Sequence, residues 1–421
     1  MICWTVDIAK TMRAPAWLGG LALPLTLLMT ERSICAETAD ANAPHVFQYS
    51  GAALAAARVR AHAGDSSMAK VLTALRERGD ALMGDGPFTI VHKQHPLPGV
   101  DPHDYVSLAP YYWPNPDTSN HLPYIRRDGE RNPETREFDA RIFSTFSEHV
   151  WGLALAGYMT GDERYSRRAA VLLRTWFLDP ETRMNPNLDH AQFVKGENTG
   201  RGTGIIESNR FLNVIDGVGL LRAASAGWTA EDQSQLEDWF RAYLKWMKES
   251  PNGKAEAAAT NNHGTWYDVQ VATYMLFVGD DAGARQVVEA AKSKRIGGQI
   301  QPDGQMLREL ARTKSWGYCC FNLKAMTQLA DLGQRVDVDL WNYRTADGRS
   351  LRAALDFHLP FATGEKAWSH QQISRFDPKE LLLPLRRAAI ALSDREYVAI
   401  VKHLQGDSGA ESVNVIALPL P

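Results

Sequence analysis

The sequence predicts an all-α chain, with helical hairpins arranged as an α/α toroid (a complete or incomplete barrel) and a long irregular loop segment over its cleft. Three observations predict it. Apolar residues recur at helical spacing in segment after segment of the 421 residues, with polar loops between them. Runs that alternate with period two are confined to short pieces near Phe88–His92 and Val413–Ala417. From Gly84 to Pro133 the chain is instead rich in Pro, Gly, Asp, His and aromatics, and so long an irregular segment is usually functional or a linker. Its aromatics, as in Pro110-Tyr111-Tyr112-Trp113-Pro114, argue against a disordered linker. Periodicity does not dictate closure into a ring, so a stacked superhelix of the same hairpins is the alternative.

Taken in order, residues 1–36 read as an export signal. Lys10 and Arg13 precede the apolar run Ala14–Met29, and Ala36, Ala39, Ala41 and Ala43 offer small residues for cleavage. Residues 37–421 are then expected as a single toroid domain, periplasmic or secreted, with no stable membrane insertion once the signal is removed. After a loose lead-in, helices are expected over Gly51–Ala63 and Ser66–Met83, and beyond the irregular segment over Phe138–Thr160 and from Asp162 to about Phe177. A polar loop, Asp179–Thr203, precedes helices over Glu207–Ala226 and Thr229–Ser250, and Pro251-Asn252-Gly253 reads as a break. Later helices are expected over Thr265–Val278, Asp281–Ile296, Ser315–Leu332, Leu351–Leu359, Leu381–Leu392 and Asp394–Leu404.

Composition bounds the function. Cleavage of the signal removes three basic and two acidic residues and takes the formal net charge from −3 to −4. A mildly acidic exported protein is a poor partner for nucleic acid, although a local basic cleft still suits an anionic polymer. The chain has 12 Trp, whose faces can stack on sugar rings or simply fill a core. Cys3 and Cys35 fall in the signal, and the adjacent Cys319 and Cys320 read as reduced and buried. His92 and His95 lie close together without an evident third ligand, so neither a metal nor a cofactor is expected.

Two stretches concentrate chemistry. Asn261-Asn262-His263 precedes Trp266, and Arg308-Glu309-Leu310-Ala311-Arg312 leads to Trp316-Gly317-Tyr318 and Phe321-Asn322-Leu323. With Tyr112-Trp113-Pro114-Asn115-Pro116, Arg127-Asp128-Gly129 and the Asn187–Gln192 loop, these motifs resemble polysaccharide lyases of the alginate lyase superfamily over roughly residues 85–360. The nearest pattern is the branch acting on β-linked mannuronan or glucuronan. The resemblance implies an α/α toroid that cleaves an anionic uronate polysaccharide by β-elimination. Carried over by motif, the catalytic residues are Asn262, His263, Arg312 and Tyr318. Arg312 stands one residue closer to the tyrosine than in better-known alginate lyases. Asn261, Trp266, Arg308, Glu207, Gln192, Asn187, Tyr112 and Trp113 are the expected substrate-binding residues.

The reaction calls for these residue types. Removing the C5 proton beside a carboxylate builds negative charge, which an amide such as Asn262 or a guanidinium such as Arg312 or Arg308 can offset. In β-mannuronate and β-glucuronate the C5 proton and the C4 oxygen leave from one face. Tyr318 can therefore both take the proton and return it to the leaving oxygen, with His263 lowering its pKa or assisting; the alternative is His263 as base and Tyr318 as acid. Arg308, Glu309 and Arg312 also fit a plain ion-pair cluster on a helix face. A glycoside hydrolase on the same toroid, drawing on Glu207, Asp216, Asp303 or Glu309, and a non-catalytic envelope glycan-binding protein are the rival functions.

Overall fold

The computed structural model describes residues 43–224, 227–406 and 413–421, and these form one compact unit. The predicted signal segment lies outside the described residues. The helices are α1 (Gly51–His62), α2 (Ser66–Leu82), α3 (Ala140–Thr160), α4 (Glu163–Leu173), α5 (Phe211–Ala224), α6 (Ala230–Glu249), α7 (Pro251–Ala257) and α8 (Asn262–Phe277). They continue with α9 (Asp281–Ala291), α10 (Leu307–Leu310), α11 (Ser315–Arg335), α12 (Leu351–Ala362), α13 (Leu382–Ala391), α14 (Arg395–Gln405) and α15 (Val413–Ala417). Among the described residues, none is long and apolar enough to cross a membrane.

The hairpins form the expected toroid in two layers. α5, α8 and α11 are buried on nearly every side, as helices enclosed in a core must be. α4, α6 and α9 carry one apolar stripe and face water with the rest. α3 packs on α2, α4 and α5, α8 on α5, α6, α9 and α11, and α11 on α13. Aromatic side chains knit the first half together, with Phe146 stacked on Trp176 at 4.3 Å and Trp239 on Tyr243 at 5.3 Å.

Residues of the lead-in close one end of the inner layer. Asp216 of α5 accepts the Phe47 N–H at 2.6 Å and the Gln48 N–H at 3.1 Å, while Arg335 at the end of α11 donates to the Val46 carbonyl at 2.5 Å. Arg387 of α13 donates to the Gln48 carbonyl at 2.8 Å and pairs with Asp331. The opposite end, where α8 and α11 begin, stays open.

The irregular segment contains short strands rather than none. β1 (Val106–Leu108) pairs in parallel with β4 (His190–Phe193), tying the segment to the loop before α5, and β2 (Tyr112–Trp113) pairs antiparallel with β3 (Ile125–Arg126). Several boundaries differ from expectation. Phe88–His92 forms no strand and Val413–Ala417 is helical. Pro251 opens α7 instead of marking a break, because a first-turn position needs no N–H donor and the Ser250 side chain caps the Gly253 N–H. Most consequentially, α8 starts at Asn262 rather than Thr265, which places His263 in its first turn.

Candidate active site

The start of α8 is built by its own sequence. The Asn261 side chain caps the helix by accepting the His263 N–H at 3.2 Å. Behind it, buried Arg295 pairs with Asp268 at 2.7 Å and donates to the carbonyls of Ala257 and Ala259 at 3.1 and 2.6 Å, fixing the turn that enters the helix. A Cβ at residue 264 would fall 2.0 Å from the Ala259 carbonyl oxygen, so the residue after His263 has to be glycine. Glu309 of α10 then grips Asn262 twice, accepting its backbone N–H at 2.6 Å and its side-chain amide N–H at 2.7 Å. Burial raises the Glu309 carboxyl pKa against those two N–H groups and the nearby charges of Arg312 and His263. Buried Glu256 contacts His263 Nδ1 at 2.7 Å, which orients the ring and leaves Nε2 for another partner.

The second wall joins the start of α11 to the irregular segment. Arg312 donates to the Tyr318 phenol oxygen at 2.7 Å, and that phenol donates to Tyr111 at 2.9 Å. The guanidinium carbon also lies 3.7 Å from the Tyr318 ring centroid. Asp128 holds Arg312 from behind, at 3.0 Å to Nε and 2.5 Å to Nη2, and accepts the Thr313 N–H at 3.2 Å. The turn that presents Asp128 needs glycine next, because residue 129 has φ +78° and a Cβ there would sit 2.4 Å from Thr313 Oγ1. Burial and the hydrogen bond to Tyr111 push the Tyr318 phenol well above its usual pKa, outweighing the pull of Arg312. Although burial opposes it, the contacts from Arg312, Thr313 and Arg126 hold Asp128 well below the usual carboxylate range.

The third wall comes from β4 and the 3-10 turn Gly202–Arg210. Glu207 accepts hydrogen bonds from Tyr105 and Ser107, both at 2.7 Å, and from the Gln192 amide at 3.2 Å. Arg201 lies against the ring of Tyr112, 4.8 Å from its centroid, and donates to the Gln192 carbonyl at 3.0 Å.

These walls enclose one open cavity of about 480 Å³. It collects Asn261, Asn262, His263, Arg312, Tyr318, Glu207, Gln192 and Tyr112 from the expected set. His263, Arg312 and Tyr318 thus share one groove, and the shorter spacing does not keep Arg312 from Tyr318. Four expected substrate-binding residues stand elsewhere. Trp266 is 2% exposed and packs on Phe321 at 5.0 Å, so it offers no face to a sugar. Arg308 points to solvent outside the cavity lining. The Asn187 amide is bound to Asp104 at 2.8 Å, and the Trp113 indole donates to the Glu130 carbonyl at 2.9 Å, with neither lining the cavity. Asn262 lines it only by its edge, being 1% exposed with its amide turned to Glu309.

Sequence reasoning missed Arg126, Arg131, Arg201 and Arg210 in the lining and Glu256 behind His263. Single arginines in loops carry no periodic or motif signal, and only the fold brings them together. Among the described residues, no group of three or more His, Cys, Asp or Glu side chains is placed to hold a metal ion. Cys319 and Cys320 are free and buried.

Comparison with known proteins agrees with this arrangement. The profile of the Alginate lyase family matches residues 90–368. A solved alginate lyase from Bacteroides ovatus shares 34% identity and superposes with a TM-score of 0.85, over 90% of this chain and all (100%) of that one. Alginate lyase A1-III from Sphingomonas species A1 has the same fold at 15% identity and TM-score 0.51, over 82% of this chain and 95% of its own. A variant of A1-III complexed with a tetrasaccharide gives 14% identity and TM-score 0.52, over 82% of this chain and 94% of that one. No curated protein sequence matches. With a family profile spanning most of its length and an open cleft where the family motifs meet, the chain belongs to the Alginate lyase family and is a polysaccharide lyase, a carbon–oxygen lyase of helical toroid fold.

Proposed function

We propose that the substrate is a β-linked uronic-acid polymer, alginate rich in mannuronate or a glucuronan, cleaved by β-elimination to leave 4,5-unsaturated uronate ends. The observation that carries the reading is the donor chain Arg312–Tyr318–Tyr111 in the same cavity as His263. Tyr318 takes the proton from C5, the electron pair forms the C4–C5 double bond as the C4–O bond breaks, and the same phenol protonates the departing oxygen. Arg312, donating to the phenol oxygen, stabilises the phenolate, while the edge of Asn262 and His263 offset the carboxylate of the sugar that reacts. A raised phenol pKa means that the base form is a minor species at neutral pH, so activity climbs as pH rises.

Glu256 supports a second assignment. A histidine held at Nδ1 by a buried carboxylate is oriented to accept a proton at Nε2, and a phenol that keeps its proton suits the acid. On that reading His263 is the base and Tyr318 the acid. The His263→Gln protein separates the two: an alkaline-rising rate that survives at reduced height supports Tyr318 as base, and loss of the whole profile supports His263.

Hydrolysis is disfavoured by the carboxylates themselves. Among the described residues, the carboxylate that lines the cavity is Glu207, and it is engaged by Tyr105, Ser107 and Gln192 rather than paired across a glycosidic bond with a second one. We further propose that residues 1–36 are cleaved on export and that the enzyme works in the periplasm or outside the cell. Digestion of polymannuronate, polyguluronate, glucuronan and hyaluronan side by side, followed by ultraviolet absorbance of the conjugated alkene, tests the substrate. Activity confined to polyguluronate contradicts the same-face mechanism.

A further inference from the structure

We infer that Arg201 is a second carboxylate anchor, which holds the uronate adjoining the one that reacts and so selects chains in which uronates follow one another directly. This rests on the uronate reading above. Arg201 donates to the Gln192 carbonyl at 3.0 Å through Nε, to Gln192 Oε1 at 3.1 Å through Nη2 and to the Tyr112 hydroxyl at 3.3 Å through Nη1. All three acceptors are neutral. Of the five N–H groups of a guanidinium, two remain, one on each terminal nitrogen, to donate to a carboxylate.

The surroundings make that vacancy informative. Arg201 is half-buried, and burial lowers its pKa despite the nearby charge of Glu197. No carboxylate among the described residues forms an ion pair with it, whereas Arg312 and Arg126 in the same lining both pair with Asp128. A desolvated cation without an anion costs free energy that an incoming anion would recover. Its cradle is strained as well. Gln192 holds φ +49°, a conformation other residues than glycine seldom adopt, fixed by the Ser107 hydroxyl accepting its N–H at 2.8 Å. That conformation turns both oxygens of Gln192 onto Arg201.

Position decides which sugar it serves. Tyr111 reaches the Tyr318 phenol while its neighbour Tyr112 reaches Arg201. Tyr111 lies in the turn before β2 and Tyr112 in the strand itself, so the two phenols serve different walls: Tyr318 stands at the start of α11, and Arg201 beside β4 and the Gly202–Arg210 turn. A carboxylate at Arg201 therefore belongs to a neighbouring sugar. A polymer that alternates uronate with an amino sugar, such as hyaluronan, brings no carboxylate there.

Steady-state kinetics of Arg201→Gln on polymannuronate and glucuronan test this. KM is expected to rise about tenfold or more, the worth of a charge-assisted pair, with kcat within about twofold of wild type. Wild-type preference for these polymers over hyaluronan should narrow in the same variant. Arg201→Lys, which keeps the charge but loses the guanidinium, should also raise KM, and it serves if the glutamine variant does not fold. An unchanged KM, or a fall in kcat alone, overturns the anchor. If wild-type enzyme makes no unsaturated product from either polymer, it is the uronate reading that fails; if it does and KM in the variants is unaltered, only the anchor fails.

Discussion

At the closed end of the inner helices, the buried ions described above are answered from within the chain: Asp216 by two backbone N–H groups, Arg335 by a carbonyl and the nearby charges of Asp216 and Asp331, and Arg387 by Asp331 and a carbonyl. At the open end, Arg201 has only neutral acceptors and the Tyr318 phenol sits between a guanidinium and another phenol. The same helices thus carry a polar cluster that holds the ring together at one end and an incomplete one at the other. On the reading proposed above, the difference separates buried charges that serve stability from those that take a ligand. Burial alone does not distinguish them.

Substitutions can separate the two ends. Tyr318→Phe removes the proposed proton carrier and should lower kcat by about a thousandfold or more while the thermal melt stays near wild type. Product formation at the wild-type rate by that protein would reject both proton-transfer assignments. Glu256→Gln should lower activity by about tenfold to a hundredfold, because His263 loses the carboxylate that orients it, with polymer binding to the Tyr318→Phe background little changed.

The closed end should respond in stability instead. Burial raises the Asp216 pKa from 3.8 to about 6, above its unfolded value. Between those values the folded state holds more protons than the unfolded one, so its contribution is full at low pH and is lost as pH rises through about 6. Unfolding midpoints of wild type and Asp216→Asn, compared from pH 4 to 7, should therefore diverge by up to about 3 kcal/mol in pH dependence. Parallel curves would remove Asp216 from the account. The smallest effect is expected at Arg308→Ala, which lies outside the cavity and should leave both activity and stability within about twofold and 0.5 kcal/mol of wild type.

Much of this architecture was legible in advance for physical reasons. Helical periodicity is a local property, and it located the helices while leaving ring closure open. His263, Arg312 and Tyr318 were readable because they sit in motifs. Trp266, expected to bind substrate, is instead packed in the core, because sequence cannot tell which side of a fully buried helix faces a cleft. Arg201 and Glu256 were invisible for the opposite reason: their roles arise from partners brought close by the chain's path, not from their own neighbours in sequence. The four short strands escaped notice because pairs two to four residues long give almost no alternation to detect.

The open end also has an orientation. α8 and α11 begin at the cavity and α5 begins just behind Arg210, so the positive ends of three helix dipoles are directed toward it. An approaching polyanion meets that field before it touches any side chain, although the molecule as a whole is negative. Capture from solution should consequently slow as ionic strength rises, while turnover of chains already seated is much less affected.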